Sequence, residues 1–162
     1  MATTKQVLGL VGWLLLVYAA AAIGAAGSMN APAFYSELVR PLWAPPAWLF
    51  GPVWTVLYGM MGVAAWQVWR VAGSWQAAAR ELWWFVGQLV LNALWSWLFF
   101  AWYLGAAAFV EIILLWLAIA VTLVLFWRRN KLAGALLVPY LAWVTFATAL
   151  TYAMWQGNPT IL

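Results

Sequence analysis

The chain has 162 residues, 69% of them hydrophobic and only 6% charged, with a net charge of +4 and a mean hydropathy of +0.96. So little charge cannot cover a soluble domain, and recurrent runs of about twenty apolar residues make the bilayer the solvent. With no cysteine and no histidine, disulfides, thiolate chemistry and the usual zinc sites are excluded, and haem could not be held by the common His or Cys axial ligands.

Five segments reach the roughly 20 residues that a crossing requires. The first runs from about Gln6 to Ala26. It is too long for a signal-peptide core and carries no convincing cleavage site, so it is expected to stay in the mature protein. A long loop follows, from Gly27 to Pro46, rich in turn and breaker residues. Within it "PAFYSELVR" predicts a short helix, opened by Pro32 and ended by Pro41. The stretch "RPLWAPPAWLFGPVW" then leads into the second span, about Ala47 to Val71. Pro46 suits a first helical turn, where its missing donor costs nothing, whereas Pro52 should free the carbonyl of Trp48. The third span is about Leu82 to Leu104, the fourth about Ala106 to Trp127 and the fifth about Leu132 to Trp155. The expected architecture is one all-α, five-helix transmembrane domain over residues 1–162, with the long first loop capping a pocket.

Five crossings put the termini on opposite sides. Lys5, Arg70, Arg80, Arg128, Arg129 and Lys131 fall on one side and Arg40 alone on the other. The positive-inside rule places the amino terminus in the cytoplasm and the long loop outside. This loop charge does not indicate nucleic acid. A helical bundle is expected in a bacterial inner membrane, since outer membranes favour barrels. No internal repeat is visible, and an odd number of spans argues against inverted-repeat transporters.

Polar groups inside hydrocarbon are costly unless partnered, so their positions are informative. Gln88, Asn92 and Ser96 recur at steps of four on the third span, with Trp95 beside them. Tyr140, Trp143, Ala147 and Thr151 share a face of the fifth, where Ala147 leaves room between larger neighbours. Trp54 and Tyr58 stand one turn apart on the second. Each set reads either as helix–helix packing and hydrogen bonding or as the wall of an aromatic cavity suited to a flat, mostly apolar ligand. In the second case the proline-rich loop is a stiffened lid. Glu111, about 9 Å into the fourth span, must be protonated, hydrogen-bonded to a neighbouring helix or near a wet rim. The sixteen tryptophans exceed what interface anchoring requires.

Three stretches, "FYSELVRPLWAPPAWLFGPVWTVLYGMMG", "GQLVLNALWSWLFF" and "VPYLAWVTFATALTYAMWQGN", resemble the translocator protein family (TspO/MBR). This family is also called tryptophan-rich sensory protein in bacteria and peripheral benzodiazepine receptor in mammals. The resemblance covers nearly the whole chain. It implies five helices, often a homodimer, and a pocket open toward the first long loop. It also implies ligands: protoporphyrin IX or haem-like tetrapyrroles, and synthetic isoquinoline carboxamide or benzodiazepine-type compounds. No other cofactor is required. The pocket positions it implies are Tyr35, Pro45, Trp54, Asn92, Trp95, Trp143, Ala147 and Thr151, to which the span pattern adds Tyr58. Trp54 and Trp143 match two tryptophans linked in some bacterial members to light-dependent porphyrin breakdown, and would be catalytic only in that case. Two departures stand out. Many members carry Asn where this chain has Thr151, and no basic residue follows Tyr140 or Tyr152, so the mammalian cholesterol motif is absent. A tetrapyrrole-binding sensor is the first functional expectation, with a photochemical enzyme and a tetrapyrrole transporter as alternatives. No ordinary catalytic constellation is present.

Overall fold

In a computed structural model describing residues 1–162, the chain is 84% helical and contains no strand. Six α-helices follow in order: α1 (Thr3–Gly27), α2 (Ala31–Glu37), α3 (Phe50–Ala72), α4 (Ala79–Ser96), α5 (Gly105–Arg129) and α6 (Lys131–Gly157). Five of them, all but α2, are long and apolar enough to cross a bilayer once the 3₁₀ turns before α3 and α4 are counted.

Several boundaries have identifiable causes. Pro32 stands in the first turn of α2, where a missing donor is tolerated. The helix ends at Glu37, earlier than Pro41 alone would dictate, because Leu38 turns extended. A 3₁₀ turn, Ala47–Leu49, separates Pro46 from α3, so Pro52 falls in that helix's first turn rather than deep within it. The third span stops earlier than the hydropathy suggests. Its last five residues, Trp97–Ala101, widen into a π turn, and Tyr103 adopts a left-handed backbone with φ 54°. Wide turns of this kind re-aim side chains. Here Phe99 and Phe100 point inward, and Tyr103 lies 4.7 Å from Phe34 of α2. Between α5 and α6 only Asn130 intervenes. Its Oδ1 accepts the Ala133 N–H at 3.0 Å and caps α6.

The body of the bundle is one apolar core running through α1, α3, α4, α5 and α6. Tryptophans bind helices together as well as fill space. Indole N–H groups of Trp66, Trp97 and Trp116 donate to Gln6 C=O, Ile23 C=O and Thr145 Oγ1, linking α3 to α1, the π turn after α4 to α1 and α5 to α6. Small residues permit close approach. A Cβ at Gly27 would meet the Trp97 ring at 2.8 Å, and one at Gly105 would meet Trp155 at 2.7 Å. Both glycines are thus used for packing within the chain. At the basic end Arg129 binds Glu81 at 2.8 Å and the Ala77 carbonyl at 2.9 Å, tying α5 to the start of α4. At the opposite end a second apolar cluster seats α2, with Phe34, Tyr35 and Leu38 packed against Phe99, Ala108, Leu150 and Met154.

Candidate functional site

Beneath α2 and the strap that follows it, the helices part around a cavity of about 560 Å³. That size is typical of small-molecule sites. Every helix contributes, and none of the 28 lining residues is charged. Tyr35, Trp54, Tyr58, Asn92, Trp95, Trp143, Ala147 and Thr151 all face this one space. Pro45 stands outside the lining. Its carbonyl instead accepts the Tyr35 hydroxyl at 2.5 Å, bracing a residue that does line it.

The walls are aromatic planes, some set edge to face and some stacked or tilted. Trp54 stands 6.5 Å from Trp143 with the rings perpendicular, and 5.7 Å from Tyr58. Phe50 meets Trp143 edge-on at 5.9 Å, and Trp95 stacks on Phe99 at 5.2 Å. Edge-to-face and offset pairs are favourable arrangements for such rings, so the walls support one another. The indole N–H groups of Trp95 and Trp143 are buried with no protein partner. A buried donor without an acceptor costs about 1–3 kcal/mol, a debt that an acceptor on a bound molecule would remove.

The floor is a directional hydrogen-bond chain. Tyr58 donates to Asn92 Oδ1 at 2.7 Å, Asn92 Nδ2 to the Tyr140 hydroxyl at 2.6 Å, and Tyr140 to Gln88 Oε1 at 2.6 Å. Each acceptor position fixes the next group, so Asn92 is held with its amide plane set. The stripe expected on α4 is therefore divided. Asn92 and Ser96 line the cavity, whereas Gln88 lies sealed beneath it with the fully buried Tyr140. Thr151 donates to its own helix at the Ala147 carbonyl, 2.7 Å away, which leaves its oxygen as an acceptor. Glu111 lies outside the lining. It is only 6% exposed and neither carboxylate oxygen has a partner, so a bond to a neighbouring helix and a wet rim are both absent.

The mouth has a side. Lining residues of α4, α5 and α6 are mostly buried, whereas Ala25 of α1 and Gly51 and Thr55 of α3 are exposed, and Trp48 is 72% exposed. Nothing lies within 4 Å of a Cβ added at Gly51. The opening therefore runs between the carboxyl half of α1 and the start of α3, bounded by the Tyr18 hydroxyl on the Thr55 carbonyl at 2.8 Å. At the lid, Arg40 lies 4.7 Å over the Tyr35 ring. Burial pushes the Tyr35 phenol up from its ordinary value and the Arg40 charge partly offsets this, so it remains a neutral donor to Pro45.

Sequence reasoning missed several contributors. The α1 wall of Tyr18, Ala21 and Gly24 carries no polar stripe to betray it. Phe99 and Phe100 reach the cavity only through the π turn, which breaks the 3.6-residue period that pattern reading relies on.

Five apolar spans around an uncharged, tryptophan-walled cavity, closed at one end by a short helix and a proline strap, define a helical membrane protein with an internal cavity. The chain belongs to the TspO/MBR family, whose sequence profile matches residues 11–156. It is 42% identical over 159 residues to the tryptophan-rich protein TspO of Chlorobaculum tepidum, covering 96% of this chain and 99% of that one. It is 39% identical over 149 residues to the protein CrtK of Rhodobacter capsulatus, covering 90% and 93%. To the human translocator protein it is 40% identical over 126 residues, covering 77% and 75%.

Proposed function

We propose that this protein is a membrane receptor for planar tetrapyrroles, with protoporphyrin IX as the representative ligand, and that it acts as a sensor or regulator of their level. The observation that carries the reading is the convergence of Trp54, Tyr58, Asn92, Trp95, Trp143, Ala147 and Thr151 on one uncharged cavity. A flat macrocycle suits aromatic planes, and its pyrrole nitrogens suit the fixed amide of Asn92. Its carboxylates suit the mouth, where Arg40 is the sole basic residue at that end of the bundle. Isoquinoline carboxamide and benzodiazepine-type compounds, flat with one or two acceptors, fit the same description. We place the basic end in the cytoplasm of a bacterial inner membrane and take the active form to be a homodimer.

The test is a titration of protein in lipid nanodiscs with protoporphyrin IX, followed by tryptophan quenching. Ala147 lines the cavity on the same helix as Trp143 and Thr151, so Ala147→Phe fills the space a macrocycle needs. The expected result is saturable binding by wild type and a loss of at least about tenfold in the variant, on the order of 1.4 kcal/mol. Equal affinity in both proteins would remove the proposal.

A second reading, light-dependent oxidation of bound porphyrin by dioxygen, is favoured by one observation. Trp54 and Trp143 stand 6.5 Å apart in the same wall, within reach for electron donation to an excited macrocycle. Illumination of the complex in air should then bleach porphyrin faster than free pigment, and Trp54→Phe or Trp143→Phe should slow the loss. Bleaching at the free-pigment rate, or unchanged by both variants, would exclude this chemistry.

A further inference from the structure

The strap between α2 and α3 is weakly self-supporting. Between Val39 and Pro46 its one internal backbone bond joins the Ala44 N–H to the Pro41 carbonyl at 3.0 Å. Burial does little for its first part, since Val39 is 67% exposed and Leu42 fully so. What fixes Val39 is a side chain 119 residues away. Asn158, just past the end of α6, accepts the Val39 N–H at Oδ1, 2.8 Å. Its Nδ2 donates to the Val39 carbonyl at 2.9 Å and to the Met154 carbonyl at 2.8 Å. The amide thereby copies the two-bond exchange between opposed residues of antiparallel strands, and it is 4% exposed. The neighbouring Gly157 lies against the same residue, the Val39 carbonyl being 3.4 Å from where a Cβ would stand. A few residues on, Pro45 is held by Tyr35, a cavity wall residue. The strap is thus pinned at two points, and the first depends on one amide that does not line the cavity.

We infer that Asn158 is a positioning residue for the cavity: it latches the strap to the carboxyl end of α6 and so sets how long a bound tetrapyrrole is retained. The retention part rests on the binding reading above; the latch itself does not. Alanine removes all three bonds. Aspartate keeps the acceptor for the Val39 N–H and loses both donors, which makes Asn158→Asp a graded variant if Asn158→Ala fails to fold.

Two measurements on the full chain in nanodiscs decide the matter: protoporphyrin IX dissociation by stopped-flow fluorescence, and amide exchange at Val39 without ligand. The expected result for Asn158→Ala is dissociation and Val39 exchange each faster by about tenfold, as the loss of several modest hydrogen bonds implies. Protection within α3 to α6 should be unchanged, with Asn158→Asp intermediate. Val39 exchange at the wild-type rate overturns the latch, as does loss of protection spread through α6. Faster exchange with unaltered dissociation overturns the retention role. If wild type binds no protoporphyrin IX, the binding reading fails with the retention role, and Val39 exchange alone then judges the latch.

Discussion

A carboxyl group within a membrane-spanning helix normally finds a partner, and Glu111 has none. It is buried on α5 with both oxygens unbonded, and a buried polar group left without a hydrogen bond costs about 1–3 kcal/mol. Nothing in its surroundings offsets that cost. Glu111→Leu, of similar bulk and apolar, should therefore stabilise the bundle by about 1–3 kcal/mol, read as a higher melting temperature in detergent. A lower melting temperature would mean that the carboxyl makes a contact that holds the fold. Single residues also show how far pattern reading reaches. Trp54, Asn92 and Trp143 were legible as cavity candidates because polar and aromatic residues at helical spacing stand out in an apolar background. Asn158 was not. Its role depends on a contact spanning 119 positions, and nothing in its neighbours' periodicity announces one.

At the scale of elements, the five spans were legible because each is a long apolar run bounded by turn residues or charge. The short helix α2 was legible from Pro32, while its end at Glu37 was not. The π turn at Trp97–Ala101 had no sequence signal, since a widened turn answers to packing, here of Phe99 and Phe100 against α2. The division of the α4 stripe has a similar origin. Tyr140 enters from α6 and takes Gln88 as its acceptor, so a residue in phase with Asn92 is diverted from the cavity by a partner on another helix. The seam between α1 and α3 leads to a prediction of its own. Gly51 lies at the open side with free space around it, so Gly51→Trp should obstruct passage without disturbing the floor. Stopped-flow mixing with protoporphyrin IX should show association and dissociation slowed together, about tenfold, with affinity nearly unchanged, since a gate alters rates alone. A change confined to affinity would place the route elsewhere.

Across the whole molecule, charge and cavity divide the bundle into two ends. The basic end is cross-linked by Arg129, Glu81 and the Asn130 cap. The other end parts around the cavity and is closed by a helix and strap held through Tyr35 and Asn158. Under the proposed function, the cross-linked end holds the bundle and the strap end holds the tetrapyrrole. The most direct test is a structure determined after loading with protoporphyrin IX. The account predicts macrocycle density inside the bundle, against Trp54 and Trp143, above Asn92 and with its carboxylates toward Arg40. Density confined to the lipid-facing surface, with the interior empty at saturating ligand, would contradict it.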